Sequence, residues 1–235
     1  MDQAINHPGV QLHRHADVQA WCQALVAAIV RWQAGLPRAR LLLSGGSTPA
    51  PVYRALAAAP LPWPQLALGL VDERWLAAGD DNRNDQLVSR ELLARQPAAR
   101  LQPLARPGLD RAASVAAANA WWADSQAPTL ALLGMGNDSH TASLFPGAGG
   151  LARVLADPAA YAALDASGCP GAQAWPQRIS LTPAGLRQCQ QRWLLLRGQD
   201  KWDTLAAALA SADARAHPVL HALAGPTPLQ VHWCP

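Results

Sequence analysis

The sequence is poor in charge, in paired cysteines and in long apolar runs, and each shortage closes off a class of protein. Only 15% of the 235 residues are charged while 50% are apolar, which argues against a disordered chain and for a sizeable core. The net charge of +3 comes from scattered basic residues, and no Lys/Arg block or stripe points to nucleic acid. Cys22, Cys169, Cys189 and Cys234 stand singly with no CxxC, so metal clusters and redox pairs lack their usual framework. Such cysteines suit a reducing cytosol, and a cytoplasmic location is expected. No apolar run approaches the length of a membrane span. The opening MDQAINHPGVQLHRH has no basic segment followed by an apolar one, so no secretory signal is expected. Phenylalanine and tyrosine are scarce, and the ten tryptophans read as packing residues rather than a base-stacking platform.

What is there alternates between strand and helix patterns. Val10 to His13 is a short edge strand. Asp17 caps a helix to about Trp32, with Val18, Trp21, Cys22, Leu25, Ile29 and Trp32 on one stripe and Gly35 with Pro37 closing it. Ala39 to Leu43 is a buried strand, Leu66 to Val71 a second, and Thr129 to Leu133 a third. Helices are expected over Gln86 to Arg95 and Asp110 to Asp124. Gly147 to Gln177, rich in Ala, Gly and Pro, reads as a covering loop with short helical turns or as a mobile lid. Arg178 to Leu181, Arg192 to Leu196 and Leu229 to Trp233 are further strands. A helix follows Gly198-Gln199-Asp200-Lys201, and a short one spans Pro218 to Leu223. The pattern predicts an α/β fold over residues 1–235, a single doubly wound domain with a mostly parallel sheet and helices on both faces.

The stretch TLALLGMGNDSHTASLFPG, Thr129 to Gly147, carries the strongest chemistry. An acid and an imidazole, Asp138 and His140, follow a glycine turn just past a buried strand, where open α/β sheets place their ligands. Gly134-Met135-Gly136-Asn137-Asp138-Ser139 falls short of the dinucleotide fingerprint, because serine replaces its third glycine and no acidic strand end follows about 20 residues later. The bland alternative is a strand-to-helix turn with Asp138 as a cap.

Earlier, Gly45, Gly46, Ser47 and Thr48 sit between a strand and the first turn of a helix opened by Pro49. Free backbone N–H groups and the positive end of a helix dipole would meet there, which makes a phosphate cradle. It is not a Walker loop, because no Lys follows the second glycine. Asp72-Glu73-Arg74 puts three charges at a strand's carboxyl end, to serve a pocket or to pair with each other. Asp80, Asp81, Asn82 and Asn84 form a polar loop. Gly45 to Thr48, Asp72 to Arg74, Asp138 with His140, Arg178 and Lys201 would converge on one rim as an anion site with an acid/base pair beside it, implying a small phosphorylated substrate and proton transfer.

In this order, SGGSTP, VDER, LLGMGNDSHTASLFPG, RISLT and GQDKW resemble the 6-phosphogluconolactonase family across about Leu41 to Ala210. The SHTASLFPG segment is the most specific part. Relatives with deaminase activity have a different run at Ser143-Leu144-Phe145-Pro146, which favours the lactonase branch. The resemblance implies the fold of glucosamine-6-phosphate deaminase and ribose-5-phosphate isomerase. It also implies hydrolysis of 6-phosphoglucono-1,5-lactone to 6-phosphogluconate, the second step of the oxidative pentose phosphate pathway, with no metal or organic cofactor. On this footing His140 matches the catalytic histidine. Lys201, Arg178 and the turn Gly45 to Thr48 match phosphate positions, and Asp72, Arg74 and Asn84 match pocket positions.

One departure matters. The family usually has Asp-Gly-His where this chain has Asp138-Ser139-His140, so either the backbone there is ordinary or strain at serine is held by its surroundings. His140 is expected as a general base with Asp138 orienting it. Oxyanion donors are expected among the backbone N–H groups of Gly134 to Gly136 or from Arg74. An isomerase or deaminase using Asp72 as base, and a non-catalytic sugar-phosphate sensor, are the rival readings. His13 and His15, which flank an arginine near a terminus, take no functional reading, and His217 and His221 read as a helical pair without a third metal ligand. Monomer and homodimer both stay open.

Overall fold

Two five-residue segments, Ala39–Leu43 (ARLLL) and Thr129–Leu133 (TLALL), are buried at every position and lie side by side in parallel, as expected of strands covered on both faces. The computed structural model describes residues 5–124 and 126–235. In chain order its elements are β1 (Val10–Arg14), α1 (Val18–Gln33), β2 (Ala39–Leu43), α2 (Ala50–Ala57), β3 (Leu66–Leu70), β4 (Asp72–Arg74), α3 (Asn84–Glu91), α4 (Arg111–Ala123) and β5 (Thr129–Leu133). Then follow α5 (Leu151–Ala156), β6 (Tyr161–Asp165), β7 (Gln177–Leu181), α6 (Pro183–Gln188), β8 (Gln191–Arg197), α7 (Gln199–Ser211) and β9 (Leu229–Cys234).

Six strands form one all-parallel sheet in the order β1-β9-β8-β5-β2-β3, with helices on both faces. The chain runs outward from β2 to β3 and then returns to β5 on the other side of β2. The crevice beyond the carboxyl ends of β2 and β5 is therefore the topological switch point, where ligands bind in such sheets. Local sequence explains the helix starts. Asp17 accepts from Ala20 N at 2.8 Å to cap α1, and Asp110 accepts from Ala113 N at 2.7 Å to cap α4. The α1 stripe of Trp21, Cys22, Leu25 and Ile29 is core, as its spacing predicts. Among the described residues no helix is long and apolar enough to cross a membrane.

Three features differ from the sequence expectation. Asp72-Glu73-Arg74 is not simply the carboxyl end of the preceding strand. It is strand β4 of a second, antiparallel sheet ordered β4-β7-β6. Val71 joins the two sheets, its N–H donating to Leu43 O and its carbonyl accepting from Leu181 N. The stretch 147–177, expected as loop or lid, holds α5, strand β6 and a 3-10 turn at Pro170–Ala172. The β6 sequence YAALD has no β-branched residue, so its strand conformation comes from pairing with β7 rather than from propensity. The helix expected from Gln86 to Arg95 begins earlier, at Asn84, and stops at Glu91 before a separate 3-10 turn at Leu93–Arg95.

Candidate active site

The earlier start of α3 has a cause in the VDER segment. Glu73 is fully buried, and its carboxylate accepts from Arg74 N at 2.7 Å, Asn84 N at 2.7 Å and Asp85 N at 2.9 Å. It thus satisfies the opening N–H groups of α3 from a neighbouring strand. Burial pushes the Glu73 carboxyl up to about 7, and the backbone N–H groups oppose that rise. Asn84 is thereby held over Asp72, donating from Nδ2 to Asp72 O at 2.8 Å and to Asp72 Oδ1 at 3.3 Å.

The loops after β2 and β5 flank one cavity of about 330 Å³. Gly45, Gly46, Ser47 and Thr48 line one side, at the N-terminus of α2. Gly45 has no room for a side chain, since a Cβ there would lie 1.9 Å from Asn84 Oδ1. Asp72, Arg74 and Asn84 line the wall supplied by β4 and α3, and His140, Lys201 and Arg178 complete the ring. Asp138 stands behind His140, its Oδ1 2.6 Å from His140 Nδ1. The expected phosphate, pocket and acid–imidazole residues therefore meet at this one place, whereas Asp80, Asp81 and Asn82 do not line the cavity. Two buried polar atoms of cavity-lining residues, Arg74 Nε and Asn84 Oδ1, have no hydrogen-bond partner among the described residues.

The SHTASLFPG segment builds the loop that carries the imidazole. Thr141 Oγ1 donates to Gly134 O at 2.8 Å, and Gly136 N to His140 O at 2.9 Å, closing the turn on itself. Ser143 Oγ donates to Asp72 Oδ2 at 2.6 Å, tying the loop to β4. Leu144 and Phe145 are core residues, and the Phe145 ring lies 4.3 Å from the His140 ring. Of the two alternatives at Ser139 the left-handed one is realised, with φ +62° at a buried residue. Because Gly136 N is committed to His140 O, the expected oxyanion donors narrow to Gly134, Met135 and Arg74.

Electrostatics separates the charged groups. Burial by itself would raise the Asp138 carboxyl, but the hydrogen bonds and charge of His140 outweigh it and hold the group below its ordinary value. Burial lowers the Lys201 ammonium, with Asp138 and Asp200 acting against it. Arg178 is more structural than expected from sequence. Its Nε donates to Trp175 O at 2.6 Å and its Nη2 to Ala172 O at 3.1 Å, while Nη1 lies 3.8 Å from Asp72 Oδ2. It fastens the 172–175 turn against the cavity and keeps Nη1 at the wall.

Sequence reasoning missed Gly171 and Gln173, which line the cavity from the stretch read as loop. A Cβ at Gly171 would lie 2.2 Å from Asp138 Oδ2. The only local signal was the Pro170-Gly171 pair. Among the described residues no group of three or more His, Cys, Asp or Glu is placed to hold a metal ion, and His217 and His221 belong to no such group.

An all-parallel sheet with an acid–imidazole pair and a glycine–hydroxyl turn at its switch point defines an α/β enzyme class with an anion-binding turn beside an acid/base pair. The comparisons make that specific. The family model described as glucosamine-6-phosphate isomerases/6-phosphogluconolactonase matches residues 13–233, and the chain belongs to that family. It is 50% identical over 198 residues to a 6-phosphogluconolactonase of Xylella fastidiosa, covering 84% of this chain and 83% of that protein. It is 37% identical to one of Pseudomonas aeruginosa, covering 84% and 82%. Among solved structures, a 6-phosphogluconolactonase from Shewanella baltica superposes with a TM-score of 0.86 at 29% identity, covering 96% of this chain and 98% of that one. A monomeric glucosamine-6-phosphate deaminase shares the fold at a TM-score of 0.78 and 16% identity, covering 95% and 97%.

Proposed function

We propose that the chain hydrolyses 6-phosphoglucono-1,5-lactone to 6-phosphogluconate in the oxidative pentose phosphate pathway. The observation that carries this reading is the Asp138–His140 pair at 2.6 Å on the wall of a cavity that also holds the α2 N-terminal turn and Lys201. The relatives at up to 50% identity, named as lactonases, support the substrate. With Nδ1–H of His140 donated to Asp138, the free lone pair sits on Nε2, the form needed of a general base. Water attacks the lactone C1 and gives its proton to Nε2. The oxyanion is stabilised by Arg74 and by N–H groups at Gly134 and Met135. On collapse the bond from C1 to the ring oxygen breaks, and His140 returns the proton to that oxygen. The turn Gly45 to Thr48 and Lys201 hold the phosphate and so fix C1 beside the imidazole.

In this reading the whole chain acts as one domain, since both sheets pack into one core. Four unpaired cysteines fit a reducing compartment, and we place the enzyme in the cytoplasm. The isomerase or deaminase reading would use Asp72 as a base. Its oxygens already accept from Ser143 and Asn84 beside Arg178, which disfavours that role.

The test is turnover of freshly made lactone against its spontaneous hydrolysis, coupled to 6-phosphogluconate dehydrogenase, with His140→Ala alongside. Fast wild-type turnover and a slow variant are expected. No acceleration by the wild type sinks the lactonase reading, and release of ammonia from glucosamine 6-phosphate would replace it with the deaminase one. Phosphate-ligand binding without any turnover would point to a sensor.

A further inference from the structure

Ser139 occupies a conformation that L residues with side chains rarely adopt, at φ +62° and only 2% exposed, between the two residues of the acid–imidazole pair. Its backbone is fully engaged, with N donating to Gly136 O at 3.1 Å and O accepting from Val219 N at 3.0 Å. Its hydroxyl lies 2.5 Å from Asp138 O and 2.9 Å from His217 Nδ1. A carbonyl can only accept, so the hydroxyl hydrogen goes to Asp138 O. The lone pair of Oγ then receives a hydrogen from His217, which must carry it on Nδ1. His217 is itself fixed, its N donating to Asp213 O at 2.9 Å and its carbonyl accepting from Leu220 N at 3.0 Å. Asp213 Oδ1 in turn accepts from Arg215 N at 2.9 Å and Ala216 N at 3.3 Å.

We propose that Ser139 and His217 form a positioning pair: the His217–Ser139–Asp138 hydrogen-bond chain holds the left-handed turn that points His140 at Asp138. A disfavoured φ persists only where its surroundings over-determine it. Here the surroundings reach across from the connection after α7, the helix whose first turn carries Lys201. The pair thus links the base-bearing loop to the segment that follows the phosphate-side helix. Were Ser139 to relax to a negative φ, the backbone between Asp138 and His140 would rotate and their 2.6 Å contact would open. The inference rests on the reading of His140 as the base.

The experiment is a rescue series read by steady-state kinetics and thermal melting. Ser139→Ala keeps the left-handed demand but removes the hydroxyl. Its kcat is expected to fall about 10- to 100-fold, the scale of a misplaced catalytic group, with KM within about twofold of wild type. Ser139→Gly meets the φ requirement without an anchor and is expected to recover most of that loss. His217→Ala is expected to match Ser139→Ala, and His217→Asn, which keeps a side-chain N–H at similar reach, to recover activity. In the Ser139→Gly background, His217→Ala is expected to cost little. Wild-type kcat in Ser139→Ala, equal impairment in Ser139→Gly, or the same cost of His217→Ala in both backgrounds would overturn the pairing. If Ser139→Ala fails to fold, the His217 variants carry the test alone. A His140→Ala enzyme with full turnover would instead sink the base assignment. The pair is then judged by the low-field Nδ1–H resonance of His140, expected in wild type and Ser139→Gly and absent in Ser139→Ala. Its persistence in Ser139→Ala would overturn the proposal.

Discussion

Two groups of histidine in this molecule have opposite surroundings in space. His140 sits on the wall of a polar cavity with a carboxylate 2.6 Å from Nδ1. At the far edge of the sheet, His13 and His232 face each other in register on β1 and β9, with rings stacked at 4.4 Å. His15 stacks on His232 at 5.6 Å, and Trp193 closes the other side at 5.2 Å. Gln230 Oε1 lies 2.7 Å from His13 Nε2, and among the described residues no carboxylate hydrogen-bonds to the stack. The first arrangement sets a carboxylate against the imidazole, while burial and neighbouring imidazoles in the second penalise a positive charge on His232. Proximity of an imidazole to other polar groups is therefore no mark of chemistry; a counter-charge and an open wall are.

The comparison breaks most sharply on activity. His140→Ala is expected to lower kcat by about 10²- to 10⁴-fold, the range for a general base, with little change in melting temperature because the side chain is partly exposed. A similar loss of kcat from a change at His232 would erase the distinction. Next in size is Asp138→Asn, which keeps the shape but removes the charge that steadies the imidazolium. A fall in kcat on the order of 10²-fold with KM nearly constant is expected. Unchanged kcat would mean that Asp138 is only a turn residue. Lys201→Ala should act on binding, raising KM for the phosphorylated lactone about tenfold while kcat changes less. Equal kcat/KM for phosphorylated and unphosphorylated gluconolactone in the wild type would remove the phosphate role altogether.

How much of this was legible in the sequence divides along the same line. The parallel sheet could be read because β2, β5 and β8 each centre on an apolar run, at 41–43, 130–133 and 193–196, between turn signals. The turn Gly45 to Thr48, Asp138 with His140, and Lys201 could be read because they follow strands β2, β5 and β8, and such ends converge at a switch point. The second sheet was hidden because β4 is three charged residues and β6 an alanine-rich pentapeptide, both strands by pairing alone. The capping role of Glu73 was hidden inside a charge cluster that looked like an ion pair, since its partners are backbone N–H groups 11 and 12 residues on. Ser139 stood out as a departure, but its partner His217 lies 78 residues away. The His13–His232 stack joins residues near opposite ends of the chain, and only register brings them together.

The smallest effect tests the structural half of the comparison through pH. Burial, reinforced by His13 and His15, pushes the His232 imidazole down to about 3 from an ordinary 6.5. Between those values the unfolded chain binds more protons than the native one, so stability rises with pH across that window. It starts to fall below about 6.5, and this contribution is fully lost below about 3. Glu73 has the opposite sign. Its carboxyl is pushed up to about 7 from 4.5, so the native state holds the extra proton and its contribution declines as pH rises between those values. The two slopes partly cancel between about 4.5 and 6.5, and a wild-type profile alone would conceal both. His232→Phe isolates one of them, keeping an aromatic ring in the stack while removing the titration and the buried Nε2 that has no partner. The difference between variant and wild-type unfolding free energies, measured by urea titration at each pH, is expected to grow in the variant's favour by a few kcal/mol from pH 6.5 down to pH 4. A flat difference would mean that His232 is already solvated or charged in the native state, and the contrast between the two histidine sites would lose its electrostatic basis.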